Sequence, residues 1–211
     1  MRLTPRGSTL PPSDDLATAL ATAAEHLGHR PAITVVRRDR RDEQGFLSLA
    51  GWAAKGAHLL QIEAELGPGD RVRLVAPAGW PAAAVCCAAW WAGIVVTTAD
   101  DARVTVQHES TPVAVHGDVY AIGDAVDGSP GIDGVGEPWA LAVQSFPDRP
   151  PPPGAQPDTL ALEVDGTTWT HRDLIAFARG AASAVAADAQ ASLWIPALAR
   201  ALVTGEPLTI T

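Results

Sequence analysis

Residues 74–99 contain no charged side chain. A stretch of that length cannot lie on a solvated surface, so it either crosses a membrane or fills the middle of a core. Pro77, Gly79, Pro81 and Gly93 interrupt it, and the apolar run over 82–96 is shorter than the 18 or more residues of a spanning helix. What remains is a buried helix around residues 81–91 and a buried strand, Ile94-Val95-Val96-Thr97. With the strand Val72-Arg73-Leu74-Val75-Ala76 ahead of it, this is a β-α-β unit, which requires parallel strands and a right-handed crossover. An α/β fold with a mainly parallel sheet and flanking helices is expected.

The flanking segments read in the same terms. Ser13-Asp14-Asp15 offers a helix cap, Leu16, Leu20, Ala23, Ala24 and Leu27 recur at helical spacing, and Gly28 is a stop. Ala32-Ile33-Thr34-Val35-Val36 and Phe46-Leu47-Ser48-Leu49 predict a hairpin across the charged turn 37–45. Ser48 can cap a helix over 50–66, which Gly67-Pro68-Gly69-Asp70 ends. Val104-Thr105-Val106 and Val113-Ala114-Val115 are expected as short strands. Asp, Gly and Pro dominate 123–157, with Trp139-Ala140-Leu141-Ala142-Val143 expected as one packed strand inside it.

After the run Pro150-Pro151-Pro152-Pro153-Gly154, an extended connector, the opening pattern returns. Leu160-Ala161-Leu162-Glu163-Val164, the turn Asp165-Gly166 and Thr168-Trp169-Thr170 repeat the hairpin. A helix over 171–187, the strand Ser192-Leu193-Trp194-Ile195, a helix over 196–203 and the strand Leu208-Thr209-Ile210 follow. Two degenerate β-β-α-β-α-β copies result. The expected organisation is a first α/β unit over 1–122, a connector over 123–157 and a shorter α/β unit over 158–211 packed on the first.

Composition narrows the function classes. A net charge of -9 argues against nucleic-acid binding, because phosphate neutralisation needs a basic patch. The run Arg37-Arg38-Asp39-Arg40-Arg41 is broken by Asp39 and reads as a solvated hairpin tip. Met1-Arg2-Leu3-Thr4-Pro5-Arg6-Gly7 has no apolar signal region, and neither a nucleic-acid nor a membrane partner is expected. The adjacent Cys86 and Cys87 cannot form a disulfide framework or a Cys-x-x-Cys metal site, and read as buried apolar residues of a cytoplasmic protein.

Several motifs resemble the N-terminal subdomain of adenylate-forming (AMP-binding) enzymes, the acyl- and aryl-CoA ligases and peptide-synthetase adenylation domains. In the first half these are Arg30-Pro31-Ala32-Ile33, Phe46-Leu47-Ser48-Leu49, Gly67-Pro68-Gly69-Asp70-Arg71-Val72 and Ala92-Gly93-Ile94-Val95-Val96. In the second, residues 158–174 resemble the nucleotide-loop neighbourhood, with Thr170-His171-Arg172-Asp173-Leu174 matching its Thr-His-x-x-Leu helix start. The resemblance covers residues 14–100 and 158–211 and points to a truncated actinobacterial branch of AMP-binding relatives.

Every matching motif is a turn, a cap or a core strand. The resemblance implies a Ser/Thr/Gly-rich loop ending in Pro-Lys-Gly, but the chain contracts it to Asp165-Gly166-Thr167-Thr168. Gly166, Thr167 and Thr168 are the candidate remnant of a nucleotide loop, beside an acidic residue that opposes phosphate. The single lysine, Lys55, matches no lysine position of that family. The family's later adenine, ribose and lid motifs would follow Thr211. The expectation is a relative that is inactive alone, with no catalytic residues and no metal site, binding a ligand or a protein partner.

The alternative is a half-enzyme that binds AMP or an acyl-adenylate and is completed by a second protein. No cofactor is expected, with AMP or ATP left open by the resemblance. A homodimer or protein partner is expected through the C-terminal strand 208–210, read as an uncovered edge, or through the tryptophan-rich surface of Trp80, Trp90, Trp91 and Trp194. His171 reads as a first-turn surface residue behind a Thr170/Asp173 capping box. His108-Glu109 and His116-x-Asp118 are polar pairs at strand ends, and Gly131-Ile132-Asp133-Gly134-Val135-Gly136 is loop punctuation.

Overall fold

A computed structural model describes residues 10–37, 40–115 and 117–211. The N-terminal segment, the two central residues of the basic run and His116 lie outside the described residues.

Helix α1 (Leu16–Leu27) starts where Asp15 Oδ1 accepts from the Thr18 N–H at 2.7 Å and stops at Gly28, φ 55°. Strands β1 (Pro31–Val36) and β2 (Arg41–Gly45) form the first hairpin. The expected second strand, 46–49, is instead the first turn of α2 (Phe46–His58). Phe46, Leu49 and Ala53 are buried while Leu47 is 48% exposed, a helical stripe and not a strand alternation. The polar residues 41–44 can serve as the strand because β2 is a sheet edge with a solvated side. The helix begins at Gly45, ahead of Ser48, and continues as a π-turn, Leu59–Glu63.

Strand β3 (Arg71–Val75), helix α3 (Trp80–Ala92) and strand β4 (Val95–Thr97) form the expected parallel unit. All residues from Ala82 to Trp90 are buried, which accounts for the missing charges. Strands β5 (Val104–His108) and β6 (Asp118–Ile122) follow in parallel, so the second of these lies at 118–122 and residues 113–115 are loop. After the short strand β7 (Glu137–Pro138), the expected strand at 139–143 is helix α4 (Trp139–Ala142) with a 3-10 turn. Its apolar residues split between buried Trp139, Ala140 and Val143 and exposed Leu141 with helical geometry.

Strands β8 (Leu160–Val164) and β9 (Thr167–Thr170) make the second hairpin. Helix α5 (His171–Ala178) is capped by Thr170, whose Oγ1 accepts from the Asp173 N–H at 3.1 Å, as the capping box requires. It ends before Gly180 and does not run to 187, because 184–185 leave to form strand β10 (Ala184–Val185). Residues 192–203 are not strand then helix but one helix, α6 (Ala191–Thr204), with Pro196 inside it. Buried Trp194, Ile195, Leu198 and Leu202 follow a helical period that outweighs the proline's lost N–H. Strand β11 (Leu208–Ile210) closes the chain.

Two sheets result, ordered β10-β11-β1-β2 and β7-β6-β5-β3-β4-β8-β9. Both copies have the order β-β-α-β-α-β, and they exchange hairpins. In the first sheet β11 runs parallel to β10 and to β1; in the second, β4 runs parallel to β3 and to β8. The quartet β10-β11-β1-β2 therefore mirrors β3-β4-β8-β9, each hairpin completing the other copy's sheet. One consequence corrects the sequence reading: β11 is not an edge but lies between β10 and β1. Helix α3 packs against α2, α1 and α6, and Trp90 and Trp194, expected on a tryptophan-rich surface, are instead buried in the shared core because the helices that carry them pack inward.

Candidate functional site

In the large sheet the connection through α3 carries the chain from β3 to β4 on one side, and β5 then pairs with the other side of β3. The switch point lies between β3 and β5, and open α/β sheets bind ligands outside the carboxyl ends of the strands at such points. Since β8 is parallel to β4, the tip of the second hairpin stands on that same carboxyl edge.

At the switch point a crevice of about 170 Å³ lies between the loops after β3 and β6 and the first hairpin. Gly79, Trp80 and Asp124 line one side, Arg37, Arg40 and Asp42 the other. Both arginines already have carboxylates: Arg37 Nη2 lies 2.5 Å from Asp124 Oδ1, and Arg40 Nε 2.7 Å from Asp42 Oδ2. His108, at the end of β5, accepts at Nδ1 from the Ser110 N–H at 3.1 Å and sits 2.7 Å from Ser110 Oγ. Its Nε2 faces Asp124 Oδ1 at 3.9 Å. Glu109 accepts from the N–H groups of Gly131 and Asp124 at 2.6 and 3.2 Å, which ties the glycine-rich loop 131–136 to the strand ends. Among the described residues each cation here meets a carboxylate, so Arg37 and Arg40 offer no surplus positive charge to a triphosphate.

The hairpin tip is a two-residue turn. Asp165 and Gly166 have φ of 51° and 73°, and Val164 pairs directly with Thr167. Positive φ at both central residues identifies the type I′ turn for which Asp-Gly is a strong signal. Gly166, Thr167 and Thr168 are exposed, and a Cβ on Gly166 would meet no atom within 4 Å. A phosphate-binding loop converges several backbone N–H groups on one point; a two-residue tip projecting into solvent does not.

Other sequence candidates fall elsewhere. His171 is not on the surface: it is fully buried, and its Nδ1 accepts from the Leu16 N–H at 3.3 Å. Burial pushes its pKa down to about 4, against a weaker upward influence of Asp15. Cys86 and Cys87 are buried and free, and burial raises both thiols far above their ordinary range, so neither supplies a thiolate. Among the described residues no His/Cys/Asp/Glu group could hold a metal ion, and no helix is long and apolar enough to cross a membrane.

A second cavity, of about 610 Å³, lies between α2, Trp91 of α3 and residues Asp148 and Pro150 of the connector. Lys55, on α2, stands in its wall with Nζ 3.1 Å from Asp148 Oδ1. The connector is held against the helices there. The Trp91 Nε1–H donates to the Pro151 carbonyl at 2.7 Å, His58 Nε2 lies 2.9 Å from the Arg149 carbonyl, and the His58 and Phe146 rings stack at 6.0 Å.

No protein-family profile and no curated protein matches this chain. Solved structures do. An acyl-CoA synthetase from Brucella canis superposes with a TM-score of 0.74 at 18% identity, over 96% of this chain and 44% of its own. A long-chain-fatty-acid–CoA ligase from Archaeoglobus fulgidus gives 0.72 at 16% identity, over 94% and 47%. The N-terminal domain of FACL13 from Mycobacterium tuberculosis gives 0.69 at 14% identity, over 93% and 57%. The chain has the fold of the N-terminal part of acyl-CoA and other adenylate-forming ligases. It spans less than half the length of the two full ligases.

Proposed function

We propose that this chain is a non-catalytic relative of the adenylate-forming ligases that binds a ligand or a partner. One observation carries the reading. On the carboxyl edge, where adenylation needs a cradle of N–H donors and a cation, the chain makes a two-residue type I′ turn headed by Asp165. The nearby crevice adds to it, because its arginines are already matched by Asp124 and Asp42.

Calorimetric titration with ATP, AMP and a panel of CoA thioesters tests this. Weak or undetectable heats with ATP are expected, since the net charge of -9 opposes a polyanion. Tight AMP or acyl-adenylate binding, lost in a Gly166→Val variant, would instead favour the half-enzyme alternative with Gly166, Thr167 and Thr168 as its nucleotide contact. Of the tryptophans expected to anchor a partner, Trp90 and Trp194 are buried, so of that set only the half-buried Trp80 and Trp91 are left to a partner surface.

A further inference from the structure

We infer that the open edge of β10, with the apolar groove beside it, is the docking site for a second polypeptide that adds an extended apolar strand parallel to β10. The inference rests on the partner-binding reading and names its surface, which neither Trp80 nor Trp91 lines.

The first copy of the repeat shows what such a place holds. Gly45 and Thr170 cap the starts of α2 and α5, and the left-handed Gly93 and Gly205, each at φ 74°, end α3 and α6. Counted from these caps, Leu49 and Ala53 of α2 match Leu174 and Ala178 of α5, and all four are buried. The same count matches Trp52 with Phe177 and Pro81 with Leu193, and the mirrored quartets put β10 in the place of β3. Beside β3 that place is filled. Strand β5 runs parallel along its outer side, with Val72 opposite Val104 and Leu74 opposite Val106. The chain leaving β6 then lies over the start of α3: a Cβ on Gly128 would stand 3.0 Å from the Trp80 ring and 3.2 Å from Pro81.

In the second copy the same place is bare among the described residues. Strand β10 is the edge of its sheet. The carbonyls of Ser183 and Val185 accept from the N–H groups of Thr209 and Thr211 at 2.9 and 3.0 Å. By the alternation of a strand, the N–H and C=O of Ala184 therefore point to the open side. Ala184 and Ala186 are exposed. Phe177 and Leu193, 54% and 61% exposed, line the neighbouring groove of about 510 Å³. An added strand would supply main-chain partners to the edge and apolar cover to the groove. A second copy is a poorer occupant, because two-fold pairing of β10 with itself is antiparallel and offers only two residues from each chain. Asp188 is the one charged residue lining the groove, and with a net charge of -9 the chain favours an occupant without surplus acid.

The probe is the peptide Ala-Arg-Val-Thr-Val-Gln-His, capped at both ends. It has the sequence of residues 102–108 and so of the strand that fills the equivalent place beside β3. It is titrated into the full chain and followed by calorimetry and amide shifts. One site is expected, with shifts at Ala184, Val185, Ala186 and Leu193, and a scrambled peptide should bind at least about tenfold more weakly. A spin label on the C-terminus of the peptide should broaden the amide of Ala186 before that of Ser183, as a parallel strand requires. Leu193→Asp, at an exposed position, should weaken binding about tenfold or more. Ala184→Pro removes the outward N–H and should do the same, with circular dichroism confirming that the variant is folded.

No binding up to about 1 mM, equal binding of the scrambled peptide, the reverse broadening order, or unchanged affinity in Leu193→Asp would overturn the assignment. A dimer in sedimentation that Leu193→Asp dissociates would give the edge to a second copy and overturn it as well. Pyrophosphate release from ATP is measured on the same samples: its appearance would overturn the non-catalytic reading whatever the edge does, and its absence leaves the edge to stand or fall on the titrations.

Discussion

The Nδ1 atom of His171 accepts a hydrogen bond from the Leu16 N–H at 3.3 Å, across 155 positions of sequence. The contact joins the first turn of α5 to the first turn of α1. It also fixes the tautomer, since an accepting Nδ1 leaves the proton on Nε2, which is buried without a partner.

A pH dependence follows. The imidazole titrates near 6.5 when exposed and near 4 in the fold, chiefly through burial. Between these values the unfolded chain binds a proton that the folded chain refuses, so stability is lost as pH falls from about 6.5 to about 4. The full window corresponds to about 3 kcal/mol. Urea midpoints of wild type and His171→Gln should converge as pH drops across it. An imidazole C–H resonance for His171 that titrates near 6.5 in the folded protein would refute this.

Gly56 lets α2 approach α3 closely. A Cβ there would stand 2.8 Å from Ala88 Cβ and 2.7 Å from Trp139 Cζ2. Gly56→Ala should lower stability by about 1–3 kcal/mol, despite a gain in helix propensity of about 1 kcal/mol. Adding Ala88→Gly should return part of the loss, as chemical denaturation of the single and double variants can show.

Gly166 is a purely conformational position, at φ 73° with nothing within 4 Å of a Cβ. Gly166→Ala should cost about 1 kcal/mol through backbone strain alone. Circular dichroism and urea titration of the variant check this.

Ile210 is 1% exposed and lies on β11, between two strands. Ile210→Asp should unfold the chain, losing at least about 4 kcal/mol. A soluble, folded variant detected by circular dichroism would mean that β11 is more open than its place in the sheet implies.

The parallel core was legible because residues 82–96 must be buried on all sides, and Asp15, Gly28, Thr170 and Asp165-Gly166 announce caps and turns through local chemistry. Errors arose where an apolar run was too short to show its period. Phe46-Leu47-Ser48-Leu49 and Trp139-Ala140-Leu141-Ala142-Val143 fit strand and helix alike until burial separates their faces. Arg41–Gly45 looked like a turn because an edge strand needs no apolar residues. The exchange of hairpins, which removes β11 from the edge and buries His171, rests on long-range pairings such as Val96 with Leu162 and Ile33 with Leu208, and no local signal carries those. For the same reason Lys55 and Asp148 gave no sign of meeting: one sits in mid-helix and the other in a connector.

The central claim is that the fold of an adenylate-forming ligase is present here without adenylation. Its most direct test is pyrophosphate release from ATP and magnesium by the purified chain, across a panel of aliphatic and aromatic carboxylic acids. The account expects no release above the protein-free background with any acid. Sustained turnover that scales with protein concentration and is abolished by Lys55→Ala would contradict it.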